Sequence, residues 1–524
     1  MYTRFRAKRL ADVILVVALS LSRFSTARGD EASYHEQFRP QVHYSPPSHW
    51  MNDPNGLLRL GADYQMYFQY HPYSMVWGPM HWGHATSKDL VRWVNRPIAL
   101  EPDERGAIFS GSAVYDRDNS SGLARDGVAP VVAIYTYHDH AAERAQKIRV
   151  ESQGLAYSLD GGTTFEKRPG VVLKNPGKRD FRDPKVMWFS PTRRWIMTLV
   201  ATDHVEFYSS KNLKVWRYES QFGMTRGAHG GVWECPDLVR LIGTNDGLQH
   251  DVLLVSSNPG GPAGGGGTQY FIGSFDGHEF RESNPSASPR WLDYGPDYYA
   301  AVSWNRDAES LDSPPTVIGW MSDWRYAVKV PTSPWRSAMS VPRKLTVVGS
   351  GDELALTTNP IDAFHSLQRE RITYDLSLTP ALRTFGPVRG AAFDWQLQLR
   401  NKNQSKFDVV LSNASGQETR LSIDPVHSEA TFDRSNSGII NFDSHFSDLV
   451  KVPWLTHSET AELRIIVDQS SIEIFINGGR SVITGLVFPD SIYDRVQIAG
   501  DNNVEVTSAT LAILDSIWAE PKHN

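Results

Sequence analysis

Apolar and polar residues alternate in short runs along most of the chain. Tyr64-Gln-Met-Tyr-Phe-Gln-Tyr70 and Val131-Val-Ala-Ile-Tyr-Thr-Tyr137 are examples, in a sequence punctuated by Gly, Pro, Asn and Asp. A period of two marks a strand, and helical periodicity is scarce, so the pattern predicts an all-β protein. Related turns follow several of these runs: Ser87-Lys-Asp-Leu-Val-Arg-Trp93, Ser158-Leu-Asp-Gly-Gly-Thr-Thr-Phe165, Ser210-Lys-Asn-Leu-Lys-Val-Trp216 and Ser274-Phe-Asp-Gly-His-Glu-Phe280. Each sets a turn-forming Asp, Asn or Gly ahead of an aromatic residue, at spacings of roughly 50 to 70 residues. A generic hairpin turn would explain one copy. Repeated in order, they predict a β-propeller whose blades each contain a strand, a polar turn and an outer strand opened by a packed aromatic.

The pattern changes after about residue 345, where polar alternating strands take over. Phe393-Asp-Trp-Gln-Leu-Gln-Leu399, Leu463-Arg-Ile-Ile-Val467 and Ser471-Ile-Glu-Ile-Phe-Ile476 are of this kind, and the last runs into Asn477-Gly478, a tight-turn signal. They predict a β-sandwich of roughly 150 residues. The expected organisation is a signal peptide over 1–29, a propeller over 30–350, a linker over 351–374 and a sandwich over 375–524, with a short helix at 364–371 in the linker. The stretch Gly260-Gly-Pro-Ala-Gly-Gly-Gly-Gly267 lacks the Lys-Ser/Thr pair and the helix of a phosphate-binding loop, so it reads as a flexible connection.

Composition narrows the partners. The chain holds 16 Trp, 20 Tyr and 22 Phe. Most are expected in β cores and a minority in a cleft, where flat rings pack on sugar faces. The formal charge of −6 comes without a basic stripe, which argues against nucleic acid and for a neutral partner. Arg4, Arg6, Lys8 and Arg9 precede the apolar stretch Leu10 to Leu21, with small residues at Ser25, Thr26 and Ala27. That order reads as a secretory signal cleaved near Arg28 to Asp30; a retained anchor is the other reading. Export to the extracellular or periplasmic space follows, with no membrane contact after cleavage. Cys235 is the single cysteine, so no intramolecular disulfide is possible and core burial must hold the fold. Glycosylation sequons stand at Asn119, Asn403 and Asn413.

Three acids lie in rigid, aromatic contexts: Asp53 in Trp50-Met-Asn-Asp-Pro-Asn-Gly56, Asp183 in Phe181-Arg-Asp-Pro184, and Glu234 in Trp233-Glu-Cys-Pro236. In each, a Pro follows directly or after one residue and restrains the chain before it. Taken singly, an Asp-Pro pair also serves simply to open a turn. Taken together, carboxyl groups in such settings suit retaining glycosidic hydrolysis, which needs a nucleophile and an acid/base about 5 Å apart.

The three motifs resemble those of glycoside hydrolase family 32, the invertases, levanases and exo-inulinases. The resemblance continues through Trp77-Gly-Pro-Met-His-Trp-Gly-His84, Phe109-Ser-Gly-Ser112, Tyr294-Gly-Pro-Asp-Tyr-Tyr-Ala300, Pro331-Thr-Ser-Pro-Trp-Arg-Ser-Ala-Met339 and Leu463 to Phe475. Among subgroups the sequence looks most like bacterial levanases and fungal exo-inulinases. The resemblance implies a five-bladed propeller followed by a β-sandwich, and an exo-acting β-fructofuranosidase working on sucrose, levan or inulin. It implies Asp53 as nucleophile, Glu234 as acid/base and Asp183 as transition-state stabiliser. Asn52, Gln69 and Ser110 would hydrogen-bond the fructose ring, while Trp77, Phe109 and Trp324 would wall the pocket. Arg182 would offset repulsion among the acids and keep Asp183 ionised, and Cys235 would support the acid/base from the adjacent position. Asp323-Trp324-Arg325 departs from the Asn-Trp-Gln common in relatives, which leaves the leaving-group side open.

No cofactor or metal is expected. His81 and His84 sit among Trp and Gly without a carboxylate partner, a poor metal pair. The protein is expected to act as a monomer or weak oligomer. Two further readings stand beside hydrolysis: a fructosyltransferase using the same covalent intermediate, and a catalytically dead fructan-binding protein, which would be expected to have lost one of the acids.

Overall fold

The turns that repeat in the sequence occupy one structural position. In the computed structural model, which describes residues 34–283, 285–286, 288–305, 314–376, 383–455 and 458–518, each joins the third strand of a sheet to the fourth. They link His81–Ser87 to Trp93–Leu100, Glu151–Ser158 to Glu166–Lys167, His204–Ser210 to Arg217–Phe222, and Gly267–Phe275 to Phe280–Glu282. The expected signal peptide, residues 1–29, lies outside the described residues.

The turn chemistry is shared. Asp89 Oδ1 accepts the N–H groups of Val91 and Arg92 at 2.9 and 2.8 Å, and Asn212 Oδ1 those of Lys214 and Val215 at 3.1 and 3.0 Å. Asp160 and Asp276 do the same in their own turns. Such side-chain turns are why Asp or Asn recurs there. The following residue is left-handed in every copy: Leu90 at φ 65°, Gly161 at 76°, Leu213 at 61° and Gly277 at 97°. Leucine costs about 1–2 kcal/mol in that conformation, which burial offsets, since Leu213 is fully buried. Leu213→Gly should therefore destabilise the protein by about 1–3 kcal/mol in denaturant unfolding. A neutral or stabilising result would mean that backbone strain outweighs burial.

Among the described residues, five sheets follow one another in chain order up to Pro360. Their first strands, His49–Leu60, Ala107–Tyr115, Phe181–Phe189, Val232–Ile242 and Tyr299–Ser303, contact one another in turn, and the last contacts the first. This closed ring is the axis of a β-propeller. Trp335–Arg336 closes it by pairing in parallel with His49–Leu60. Residues near the C-terminal ends of the ring strands line a cavity of about 620 Å³, and none of the three acids borders it.

The second half is a sandwich of two sheets, each with six strands among the described residues. One has the order Gln368–Thr373, Val504–Leu514, Ala392–Asn401, Thr460–Val467, Ser471–Ile476 and Ser481–Leu486. Ile465, Ile472, Ile474 and Ile476 from it meet Leu411, Leu421, Ile423 and Val450 from the other in one core. The expected turn after Ile476 forms, with Asn477 and Gly478 both left-handed. Asn413 is buried, and its amide nitrogen donates to Gln417 Oε1 and Ser491 O, which closes that sequon to a glycan in the folded chain.

Within 351–374, expected as a linker, Ala355–Pro360 is the outer strand of the fifth propeller sheet. The helix expected at 364–371 is a 3₁₀ turn over Asp362–Leu367. It stops there because residues from Gln368 onward find a partner strand in Val504–Leu514. The two halves share a core: Met51, Phe68 and Trp304 of the propeller pack with Phe364, Ala392, Ile466, Phe475 and Leu514.

Candidate active site

Each ring strand carries an irregularity near its start, where a bulge interrupts the ladder. Register shifts fall between Met51 and Pro54, between Ile108 and Gly111, between Glu234 and Asp237, and between Tyr299 and Val302. Opposite Thr198 and Val200, the same break spans Arg182 to Lys185. A bulge leaves a residue out of the ladder and re-aims its side chain. Proline is tolerated there because the skipped position needs no donor, which explains Pro184 and Pro236, while Pro54 resumes the ladder opposite Phe68 directly after its break. Asp183 at φ 63°, Cys235 at 48° and Ala300 at 53° are left-handed non-glycine residues at these bulges. Such strain persists where the surrounding structure over-determines it.

The bulges bring the acids together. Ser110 Oγ donates to Asp53 Oδ2 at 2.9 Å, and Cys235 Sγ lies 3.5 Å from the same oxygen. Asp53 Oδ1 is buried and makes no hydrogen bond of normal geometry among the described residues. Asp183 Oδ2 accepts the Cys235 N–H at 3.0 Å, and the Asp183 N–H donates to Thr136 Oγ1 at 3.0 Å. Glu234 is gripped from both sides, with Arg182 Nε donating to Oε1 at 3.1 Å and Tyr299 OH donating to Oε2. Its side chain stays 22% exposed, whereas Asp183 is 6% exposed, so only one of these two acids opens to solvent.

Burial raises all three carboxyl groups. For Asp53 the rise is opposed by hydrogen bonds from Asn52, Ser110 and Cys235. For Glu234 burial is opposed by the Arg182 charge and reinforced by that of Asp53. Burial pushes Asp183 up to about 8, against Arg182 and with help from the charges of Glu234 and Asp53. The cysteine thiol is also pushed up by burial and by the three carboxylates, so it stays protonated and can donate to Asp53 and Asp183.

Sequence profiles of the glycosyl hydrolases family 32 N-terminal domain and C terminal match residues 43–360 and 363–514. The chain belongs to glycosyl hydrolase family 32. It is 41% identical over 520 residues to a levanase of Bacillus subtilis (strain 168), covering 98% of this chain and 76% of that protein. The crystal structure of an exo-inulinase from Aspergillus awamori superposes with a TM-score of 0.83 at 34% identity, covering 93% of this chain and 100% of that one. A β-fructofuranosidase from Schwanniomyces occidentalis, solved with fructosyl-erythritol, gives 0.80 at 30% identity, covering 92% and 98%.

The family 32 motifs also build the walls. Trp77 and Phe109 meet edge-to-face at 5.9 Å, and Trp324 stacks on Trp50 at 5.8 Å. These residues surround a small apolar cluster with Trp320, Tyr299 and Cys235. Asn52 is fixed by Trp50 Nε1, which donates to its Oδ1 at 2.8 Å. Gln69 donates to Asn55 Oδ1 and Ile108 O, which leaves Oε1 as its remaining polar atom. His81 and His84, three apart on one strand, point to opposite faces and engage Pro79 O and Gln65 Oε1 instead.

Two contacts differ from the sequence reading. Arg182 makes its hydrogen bonds to Glu234, Glu151 and Asp180 and acts on Asp183 only through space, so it does not hold Asp183 ionised against burial, which raises that carboxyl to about 8. Cys235 bridges Asp53 and Asp183 rather than supporting Glu234. Asp323 and Arg325 neutralise each other in a bidentate pair at 3.0 and 2.9 Å. The glycine-rich loop packs on this pair, since a Cβ on Gly265 would lie 1.8 Å from Asp323 Oδ2. Tyr299 was missed as a site residue, although it lies in the Tyr294 to Ala300 motif. Thr136 and Glu151 carry no local signal at all.

Proposed function

We propose that the protein is a secreted, retaining, exo-acting β-fructofuranosidase that removes terminal fructosyl units from sucrose and fructans. The unequal hydrogen bonding of the three acids carries this reading. Asp53 is held through Oδ2, and Oδ1 makes no hydrogen bond of normal geometry among the described residues, the arrangement a nucleophile needs to form a fructosyl ester at the anomeric carbon. Glu234 is the acid/base. Its carboxyl is raised in part by the Asp53 charge, so it is protonated when the leaving oxygen needs a proton. Once Asp53 is esterified that charge is gone, the Glu234 pKa falls, and the carboxylate can deprotonate the incoming water. Asp183 holds fructosyl hydroxyls by hydrogen bonds, as an uncharged carboxyl at mildly acidic pH because burial raises it to about 8.

The names of the relatives, levanase, exo-inulinase and β-fructofuranosidase, support the substrate class. The five sheets around one axis support a five-bladed propeller. The basic and apolar N-terminal sequence supports secretion. Initial rates on sucrose, inulin and levan, with products resolved by chromatography, test the proposal: free fructose is expected from each. Oligosaccharides as first products would overturn the exo mode, and fructosylated sugars dominating at high sucrose would mark a transferase.

The acid/base assignment makes a pH prediction. Activity should fall as pH rises through the raised Glu234 pKa, and fall again as pH drops through that of Asp53, leaving a mildly acidic optimum. Glu234→Gln should lower kcat about 10²- to 10⁴-fold and abolish the basic limb. An unchanged basic limb would rule Glu234 out.

A further inference from the structure

A second cluster stands behind the aromatic wall of the pocket. His138 ends the strand Val131–His138, and Asp139 caps the short helix His140–Arg144 by accepting the N–H groups of Ala141 and Ala142 at 2.9 and 3.0 Å. The cap sets where the helix begins, so His140 and Glu143, three apart, share the face next to His138. Glu143 Oε2 lies 3.0 Å from His138 Nε2 and 3.4 Å from His140 Nδ1. The ligating atoms of all three lie within 4.8 Å of one another.

These distances suit a small cation. Tetrahedral coordination with bonds of about 2.1 Å requires ligand atoms about 3.4 Å apart, and two of the three edges are already near that length. The inner ligand is fixed from behind: His138 Nδ1 faces Glu151 Oε1 at 3.3 Å, and Arg182 Nη1 holds Glu151 at 2.9 Å. A carboxylate on the far nitrogen orients a metal-binding imidazole and raises its basicity. Phe109 stacks on His138 at 4.2 Å and 9°, which fixes the ring plane. His138 is 7% exposed, whereas His140 is 25% and Glu143 56% exposed, so a cation can enter from solvent onto a rigid first ligand.

We propose that His138, His140 and Glu143 bind a divalent transition cation of the zinc type, with a fourth position open to solvent. Two imidazoles and one carboxylate favour zinc, copper or nickel over magnesium or calcium, which take oxygen ligands. The site is separate from the catalytic acids and supplies no step of the hydrolysis. His140 sits edge-on to Trp77 at 5.9 Å, which places the cluster directly against the pocket wall.

Calorimetric titration of the chelator-treated full chain with zinc chloride tests the site without reference to activity. One equivalent should bind, cobalt should give the visible absorption of a tetrahedral site, and magnesium should not compete. His140→Ala and Glu143→Gln should each weaken zinc by about 10-fold or more. His427→Ala, which removes an exposed histidine paired with Asp424 in the sandwich, should leave binding unchanged. Both cluster positions are solvent-accessible, and unchanged thermal unfolding would confirm that the variants fold. No zinc binding, or binding that survives both cluster substitutions, would overturn the proposal, as would loss of binding in His427→Ala.

Discussion

Asp53→Asn should lower fructose release by about 10⁴-fold or more while leaving the protein folded and at least as stable. The substitution keeps shape and lets Ser110 still donate, but removes the attacking oxygen. Stability should not fall, because the buried Asp53 Oδ1 makes no hydrogen bond of normal geometry among the described residues and the carboxyl is already raised by its surroundings. It also removes a negative charge that raises Glu234 and Asp183, so any residual activity should show its basic limb moved to lower pH. The contrast with Glu234→Gln separates the two roles. A substrate whose leaving group needs no proton should restore ester formation in Glu234→Gln, and intact mass measurement should find one fructosyl unit bound. Asp53→Asn should show neither rescue nor adduct. An adduct on Asp53→Asn would remove Asp53 as the nucleophile.

What could be read in the sequence was chemistry that acts over a few residues. The Asp or Asn of each repeated turn caps its own neighbours, so Ser87 to Trp93 and its relatives announced the propeller before any contact was known. Likewise Pro54, Pro184 and Pro236 marked the bulges that aim the acids. What was missed comes from other sheets. Tyr299 reaches Glu234 across 65 positions, and Thr136 reaches Asp183 across 47, with no periodic signal connecting them. The alternation in Ser471 to Ile476 was visible, but its meaning was not. A period of two distinguishes two faces of a strand without saying whether the polar one meets water or protein. Here both faces are buried: Ile472, Ile474 and Ile476 enter the sandwich core, while Phe475 packs on the propeller and Glu473 pairs with Arg343. The cluster His138, His140 and Glu143 drew no attention in the sequence, because a strand-to-helix junction is required to bring those residues together.

Glu473 leads to the second large effect, which concerns the joint between the two halves. Arg343 of the fifth propeller sheet donates to Glu473 Oε2 at 3.1 and 2.6 Å and to Asp293 Oδ2 at 2.8 Å, all fully buried. His43 adds Nε2 to Glu473 at 3.0 Å and Nδ1 to Asp468 at 2.7 Å. Burying so many charges is favourable only while every one is paired, so Arg343→Met should cost about 3–5 kcal/mol by leaving Glu473 and Asp293 under-compensated. The same network sets a pH window. Burial alone would lower the His43 pKa, but Asp468 and Glu473 outweigh it and raise the group to about 9. Its contribution is therefore complete below the ordinary histidine value and disappears as pH rises through about 9. Burial alone would raise Glu473, but Arg343 and His43 outweigh it and hold the group at about 2, so its contribution is present above the ordinary glutamate value and disappears as pH falls through about 2. Unfolding free energy measured across pH should thus be highest between these limits, with His43→Gln flattening the alkaline side. Arg343→Met should leave KM unchanged, since no group of the network touches the three acids. A loss below about 1 kcal/mol would mean that the joint is held by its apolar core of Phe364, Ile466 and Phe475, with the ions neutral in the balance.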